Sequence, residues 1–289
     1  MSGMRLYIPT RGRVDIQLTL QNMPEAWRKR TTIVCPKDEM HAHLKNWPSC
    51  ACIMQPDPKM SIAQKRAFIF KTAAGLKQEK IMMLDDDLSF CPRHEYVKQF
   101  AGFQKGTAKD WRAYREKHPE ASGLYKCSDP EDPKIDLAFR RIESMLNTYR
   151  HGGFGPRLMN QEMWGEFMLN RRSMYANAYH VPTVIKHCKL GRIEHREDFD
   201  YTLQLMKKGF ENAIYCWVVV EQYEGYNAEG GASLERSMKA SNADAYKLAR
   251  LHPGLVKVKQ KDYLVSTPRA EVVIRWQNAI QLGKTGLVG

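Results

Sequence analysis

The stretch KIMMLDDD, residues 80–87, reads as a buried strand that ends in three consecutive aspartates, Asp85, Asp86 and Asp87. Adjacent carboxylates disfavour one another's ionised forms unless a cation or hydrogen-bond donors lie between them. Upstream, SIAQKRAFIFKTAAGL (61–76) starts on a serine cap and continues as an amphipathic helix to Gly75. RLYI stops at Pro9, TTIVC at Pro36 and CIMQ at Pro56, and each reads as a short strand. Between the first two, VDIQLTLQNMP (14–24) is expected as a helix, because parallel strands need a crossover. The rhythm is that of a parallel sheet built from crossover units. Such sheets bind ligands beyond the carboxyl ends of their strands. The basic PTRGR (9–13) and the acidic cluster are therefore expected to face one crevice.

The 289 residues suffice for one large α/β domain or two small ones, and 43% of them are apolar, as in ordinary globular chains. No apolar run reaches the roughly 20 residues that cross a bilayer. The opening MSGMRLYIPTRGR lacks a signal-peptide pattern. Seven scattered cysteines read as reduced residues, with Cys216 a small core residue, so a cytoplasmic protein without a membrane partner is expected. The net charge is +13. From Arg236 onward ten basic residues face three acidic ones, leaving +7 in that tail. Either a face that attracts a polyanion or a solvated surface accounts for it.

Residues 1–235 are expected to form the catalytic domain and residues 236–289 a basic, mostly helical extension. Residues 91–135, polar and rich in charge, read as an excursion that acts as a flap. IDLAFRRIESMLNTYRHGG (135–153) reads as a helix closed by Gly152 and Gly153. MWGEFMLNRRSMYANAYHV (163–181) supplies mixed core material, REDFDYTLQLMKKG (196–209) a helix, and NAIYCWVVVEQY (212–223) a strong strand.

Asp85 and Asp87 alternate along an extended strand end, which sends them to one side and Asp86 to the other. Carboxylate oxygens in that arrangement suit Mg²⁺ or Mn²⁺, which keep positions open for phosphate oxygens. Acid-rich strand ends also serve as caps and solvated loops. The acids of REDFD likewise sit where a helix dipole favours them. Arg66 could simply pair with an aspartate, and exposed arginines such as Arg11 and Arg13 are common after strands.

Taken together, PTRGR, SIAQKR, MLDDD and REDFDYTLQLMKKG resemble a GT-A glycosyltransferase. The resemblance implies an α/β fold with a Rossmann-like, mostly parallel central sheet flanked by helices. It also implies a nucleotide-sugar donor, expected to be a uridine diphosphate sugar, and Mn²⁺ or Mg²⁺ held by Asp87 with Asp85. Asp86 would contact the ribose, and Lys65 or Arg66 would lie near the nucleotide. Thr10, Arg11 and Arg13 fall in the loop that would assist the diphosphate. Asp198, and next to it Glu197, match the position of the general base in inverting members.

A narrower resemblance covers roughly residues 4–240. HGGFGPRLMNQ, EHREDFDYTLQLMKKG and GYNAEGGASLERS are similar to the phage glycosyltransferases that decorate 5-hydroxymethylated pyrimidines in DNA, often associated with TET/JBP-type hydroxylases. By that resemblance Gly230, Gly231 and Arg236 bind the diphosphate; His151 and Arg157 are candidates to bind the acceptor, beside the reading of HGGFGPR as a helix stop and turn. Many GT-A enzymes add a late histidine to the metal, and His252 in ARLHPG lacks such a context. The expected reaction is sugar transfer to 5-hydroxymethylcytosine or 5-hydroxymethyluracil in duplex phage DNA, in the host cytoplasm. The base must leave the stack to be reached, and Trp111, Tyr114, Tyr125 and Trp164 are candidates to stack on it or are core residues. Three rivals stay open: a glycan, protein or small-molecule acceptor; a metal nuclease or phosphotransferase; and a DNA-binding module with inert aspartates.

Overall fold

Alternate residues of the first strand face opposite ways, and this period of two builds a core on each side of the sheet. The computed structural model describes residues 3–93, 125–157, 165–222, 238–261 and 269–286. In β1 (Arg5–Pro9), Leu6 and Ile8 enter one core and Tyr7 the other. In β4 (Lys80–Leu84), Met82 and Leu84 join the first, Ile81 and Met83 the second. Helices cover both faces, as both cores require.

Among the described residues, nine strands form the main sheet, in the order β3-β2-β1-β4-β8-β6-β9-β5 with β7 also on β9. The remaining strands are β2 (Thr31–Cys35), β3 (Ala51–Met54), β5 (Leu88–Pro92), β6 (His151–Pro156), β7 (Phe167–Leu169), β8 (Ala176–His180) and β9 (Asn212–Gln222). β1, β2, β3 and β4 run parallel. β8 is antiparallel to both β4 and β6, and β6 is parallel to β9. The ends of β4, β6 and β9 therefore share the edge that carries Asp85–Asp87. The mostly parallel, Rossmann-like expectation holds.

Helices α1 (Leu18–Gln21), α2 (Glu25–Arg28) and α3 (Lys37–Asn46) lie between the first three strands. The helix expected over 14–24 is one turn, α1, because residues 11–17 are spent on a loop. Helix α4 (Ile62–Gly75) opens with a capping box in which Ser61 accepts from the Gln64 N–H and Gln64 returns the bond. Helix α5 (Pro133–Met145) has Asp132 as its cap and Pro133 in its first turn. It stops well before the glycines expected to close it. Gly152 and Gly153 are instead strand residues: a Cβ on either would lie 2.0 Å from the Ala213 or Ala176 carbonyl oxygen. Only glycine lets β6 run this close to its neighbours β8 and β9.

Helices α6 (Val181–His187) and α7 (Glu197–Met206) pack beside α4 on the second face. α7 shows its other side to the C-terminal segment, made of α8 (Met238–Leu251), β10 (Val256–Lys261), β11 (Arg269–Ile274) and α9 (Trp276–Thr285). Phe199, Leu203 and Met206 share a core with Leu248, Leu255, Ala279 and Ile280. The extension expected as mostly helical thus contains an antiparallel strand pair and packs directly on α7. Of the residues expected to form a flap, 94–124 lie outside the described residues, as do Trp111, Tyr114 and Trp164. Tyr125 and Cys127 return to the sheet, donating to Pro92 and Phe90 carbonyls. None of the seven cysteines forms a disulfide, and no helix among the described residues is long and apolar enough to cross a membrane.

His151 opens β6 at the sheet edge opposite the aspartates, away from the acceptor role considered for it. Its ring is buried, and neither nitrogen has a hydrogen-bond partner among the described residues. Burial pushes its pKa down to about 3. The unfolded chain therefore takes up a proton that the native state refuses, and stability is lost as pH falls from about 6.5 towards 3, by roughly 1.4 kcal/mol per unit from this residue. In His151→Leu that component of the slope is expected to vanish. Urea unfolding at pH 5 and 7.5 checks it, and an unchanged pH slope would count against the assignment.

Candidate active site

Thr19 pins the backbone of the acidic cluster. Its hydroxyl donates to the Asp85 carbonyl at 2.6 Å and accepts from the Leu88 N–H at 2.9 Å. The Asp85 N–H donates to the Tyr175 carbonyl at 2.8 Å, so the chain leaves β4 in a fixed direction. Three carboxylates then diverge at the sheet edge, with Arg13 shared by Asp86 and Asp87 and Gln222 by Asp85 and Asp87.

Asp86 turns towards the loop after β1. Thr10 Oγ1 donates to it at 2.5 Å, and Arg13 Nη1 reaches it at 2.5 Å. Arg13 also lies 3.0 Å from Asp87. Gln17 ties the loop together, donating to the Thr10 hydroxyl and the Arg13 carbonyl. Lys65 is buried and donates to the Thr10 carbonyl at 3.1 Å. Arg11 sits in the same loop, half-buried.

Asp85 turns the other way. Arg66, buried on α4, donates to Asp85 at 2.7 Å and to Glu197 at the start of α7. The two acidic motifs are thereby joined through one guanidinium. Burial, opposed by Arg66, raises the Glu197 pKa to about 7. Asp198 also titrates above the usual carboxylate range, first through burial, with Arg66 and Arg172 opposing. The two acids differ in access. Glu197 is 4% exposed and paired, whereas Asp198 keeps an accessible side and accepts only the adjacent Phe199 N–H among the described residues.

Gln222, the last residue of β9, closes the site. Its Nε2 stands 3.3 Å from an oxygen of Asp85 and 3.3 Å from one of Asp87. One small donor thus reaches both carboxylates, although the expected extended strand end is absent: β4 stops at Leu84, and Asp86 and Asp87 form the turn into β5. Burial first, then repulsion from Asp85 and Asp86, raises the Asp87 pKa to about 6. Raised pKa values in a cluster of acids are an electrostatic sign of a functional centre.

Among the described residues, no three His, Cys, Asp or Glu side chains form a ready cage for a metal ion. Two carboxylates reached by a common donor nevertheless fit Mg²⁺ or Mn²⁺, which take one or two protein carboxylates and leave the rest to water and phosphate. His252 is no member of this set: it bonds Asp200 on the far side of α7, 2.7 Å away, and is buried there. Arg157 shares the sheet edge but pairs with Glu221 at 2.7 Å. Gly230, Gly231 and Arg236 lie outside the described residues. Gln222 and Thr19 escaped the sequence reading. The strand NAIYCWVVVEQ ends in polar residues at the ligand-binding edge, and that was the available signal for Gln222.

No curated protein matches. Among solved structures, the chain is similar to the mannosyltransferase PcManGT from Pyrobaculum calidifontis, in complex with GDP-Man and Mn²⁺, at 8% identity over 74% of this chain and 56% of that one, with TM-score 0.40. It is similar to S. aureus TarS 1–349 at 11% identity, covering 86% of this chain and 66% of that one, with TM-score 0.37. A mannose-1-phosphate geranyltransferase from Thermus thermophilus aligns at 12% identity over 40% of this chain and 39% of that one, with TM-score 0.25. The chain thus spans between 39% and 66% of the length of these structures. The sequence profile of the TET-Associated Glycosyltransferase family matches residues 4–231, from the start of β1 past the end of β9, and the chain belongs to that family of glycosyltransferases.

Proposed function

We propose that the protein moves a sugar from a nucleotide sugar, a uridine diphosphate sugar first among them, to the hydroxyl of a 5-hydroxymethylpyrimidine in DNA. The observation that carries this reading is the Arg66 bridge, which brings Asp85 at the acidic strand end and Glu197 beside Asp198 into one site. A glycosyl transfer needs both halves: something to steady a departing diphosphate and a base for a hydroxyl whose pKa is far above neutrality.

Asp85 and Asp87 would hold Mg²⁺ or Mn²⁺. When bound there, the ion supplies Lewis-acid stabilisation of the diphosphate. The protein's own groups do the rest. Asp198 takes the proton of the acceptor hydroxyl as its oxygen bonds to the anomeric carbon. The bond from that carbon to the diphosphate oxygen breaks, and its electron pair leaves with the diphosphate. Attack opposite the leaving group inverts the anomeric centre. A raised pKa suits Asp198 to this work, because it is a stronger base than an ordinary carboxylate. Arg13, Thr10 and Arg66 orient the carboxylates, and Arg66 offsets the charge of Glu197 and Asp85.

The basic C-terminal segment supports a polyanionic acceptor. Lys257 and Lys259 alternate on the exposed side of β10, and Lys239, Lys247 and Arg250 are exposed along α8. Salt-sensitive binding to phosphates follows from such a surface. Cysteines without disulfides suit a reducing cytoplasm.

Asp87→Ala is expected to abolish transfer while circular dichroism stays native. The decisive assay is mass spectrometry of hydroxymethylated oligonucleotides incubated with sugar nucleotides and Mn²⁺, and normal turnover in that variant would refute the cation site. Asp198→Asn should slow transfer by about a hundredfold or more while leaving Mn²⁺-dependent donor binding intact; a near-wild-type rate removes the base. Because the C-terminal segment supplies core residues, charge reversal tests its surface better than truncation. In Lys257→Glu/Lys259→Glu, duplex affinity should fall and the salt slope should flatten by about two. Unchanged affinity at low salt discards the DNA surface.

A further inference from the structure

Helix α7 begins in an unusual way. Its cap residue is Arg196, in the left-handed region at φ 66° and ψ 27°. Caps ordinarily take extended backbone and are Ser, Thr, Asp or Asn. The left-handed conformation crowds any residue with a Cβ, and it persists only where the surroundings enforce it. No side chain caps α7; the Arg196 carbonyl accepts from the Phe199 and Asp200 N–H groups, both at 3.1 Å.

What enforces the conformation comes from the C-terminal segment. The Arg196 guanidinium donates to the Ser241 carbonyl on α8 and to the Ala270 carbonyl on β11. These two acceptors are held in register, because Asn242 accepts from the Ala270 N–H at 2.8 Å. One residue earlier, His195 donates its backbone N–H to Asp244 at 2.7 Å, and its Nδ1 lies 2.8 Å from the same oxygen. Asp200, one turn on, is gripped by His252 and by both Arg192 nitrogens. Beneath these contacts lies the core shared by Phe199 and Leu203 with Leu248 and Ile280. All of these partners except Arg192 lie beyond residue 231, where the family match stops.

We propose that Arg196 is a positioning residue for sugar transfer: locked by the C-terminal segment, it fixes the left-handed turn that presents Asp198 to the acceptor hydroxyl. The inference rests on Asp198 as the base. A misplacement of about 1 Å in such a group costs on the order of a hundredfold in rate, so a lock on the first turn of α7 is worth its strain. The contacts from Arg196 to α8 and β11 act on the turn that carries Asp198, so its effect is expected on the chemical step rather than on donor binding.

The test uses the full chain carrying Arg196→Ala, with Arg196→Gly as a second variant should the first be unstable, since glycine adopts the left-handed turn without the crowding of a Cβ. Hydrogen exchange at the Phe199 and Asp200 amides should speed up by about tenfold or more, with β1 and β4 amides unchanged. This readout needs no substrate, so it stands apart from the reading of the reaction. In the transfer assay kcat should fall by about tenfold to a hundredfold, with the donor KM within about twofold of wild type. Added to Asp198→Asn, the same substitution should cost nothing further, because it acts through the group already lost. Unchanged exchange with kcat within about twofold would overturn the proposal. So would an equal slowing in wild-type and Asp198→Asn backgrounds, which marks a merely structural role. A fully active Asp198→Asn would sink the base itself, and with it the route through Asp198, while leaving the exchange result standing.

Discussion

A buried guanidinium between two acidic segments is the constraint on which the site depends. Arg66 comes from α4, Asp85 from the end of β4 and Glu197 from the start of α7, and these elements meet only in the folded chain. A buried charge is tolerable when it is paired and hydrogen-bonded, and costly once a partner is removed. Arg66 therefore cannot leave without setting buried carboxylates against each other. Burial first, with repulsion between neighbouring carboxylates added to it, holds Asp86, Asp87, Glu197 and Asp198 above the ordinary carboxylate range. Such a cluster is poised to accept positive charge.

Topology explains why these groups converge. Ends of parallel strands collect at one edge, and β1, β4 and β9 deliver Thr10, the aspartates and Gln222 there. The antiparallel β8 between β4 and β6 adds width without disturbing this, since β6 and β9 regain the direction of β4. α7 then brings its amino end to the same edge, where a helix N-terminus tolerates acids.

Much of this was legible in the chain because its signals are local. The apolar run before Asp85, the serine cap of α4 and the prolines after β2 and β3 each act within a few residues. The glycines at 152 and 153 misled because their cause is non-local: two neighbouring backbones, not a helix end, require them. His252 was opaque for the same reason, as its partner Asp200 stands 52 residues away. The roles of Arg13 and Arg66 were half visible. Their charge pointed to the site, but only the folded geometry assigns them to the aspartates. The C-terminal segment looked like a detachable tail because charge dominates its composition, while its few apolar residues supply a core.

The paired glycines of β6 carry a broader consequence. Main-chain hydrogen bonds hold neighbouring strands of a sheet about 4.8 Å apart. At Gly152 and Gly153 a side chain would add a clash on top of that spacing, against β9 on one side and β8 on the other. Any side chain at either position must displace β6 from β8 or β9, and β9 is the strand whose far end carries Gln222, so two residues without side chains help hold the rim of the site in place.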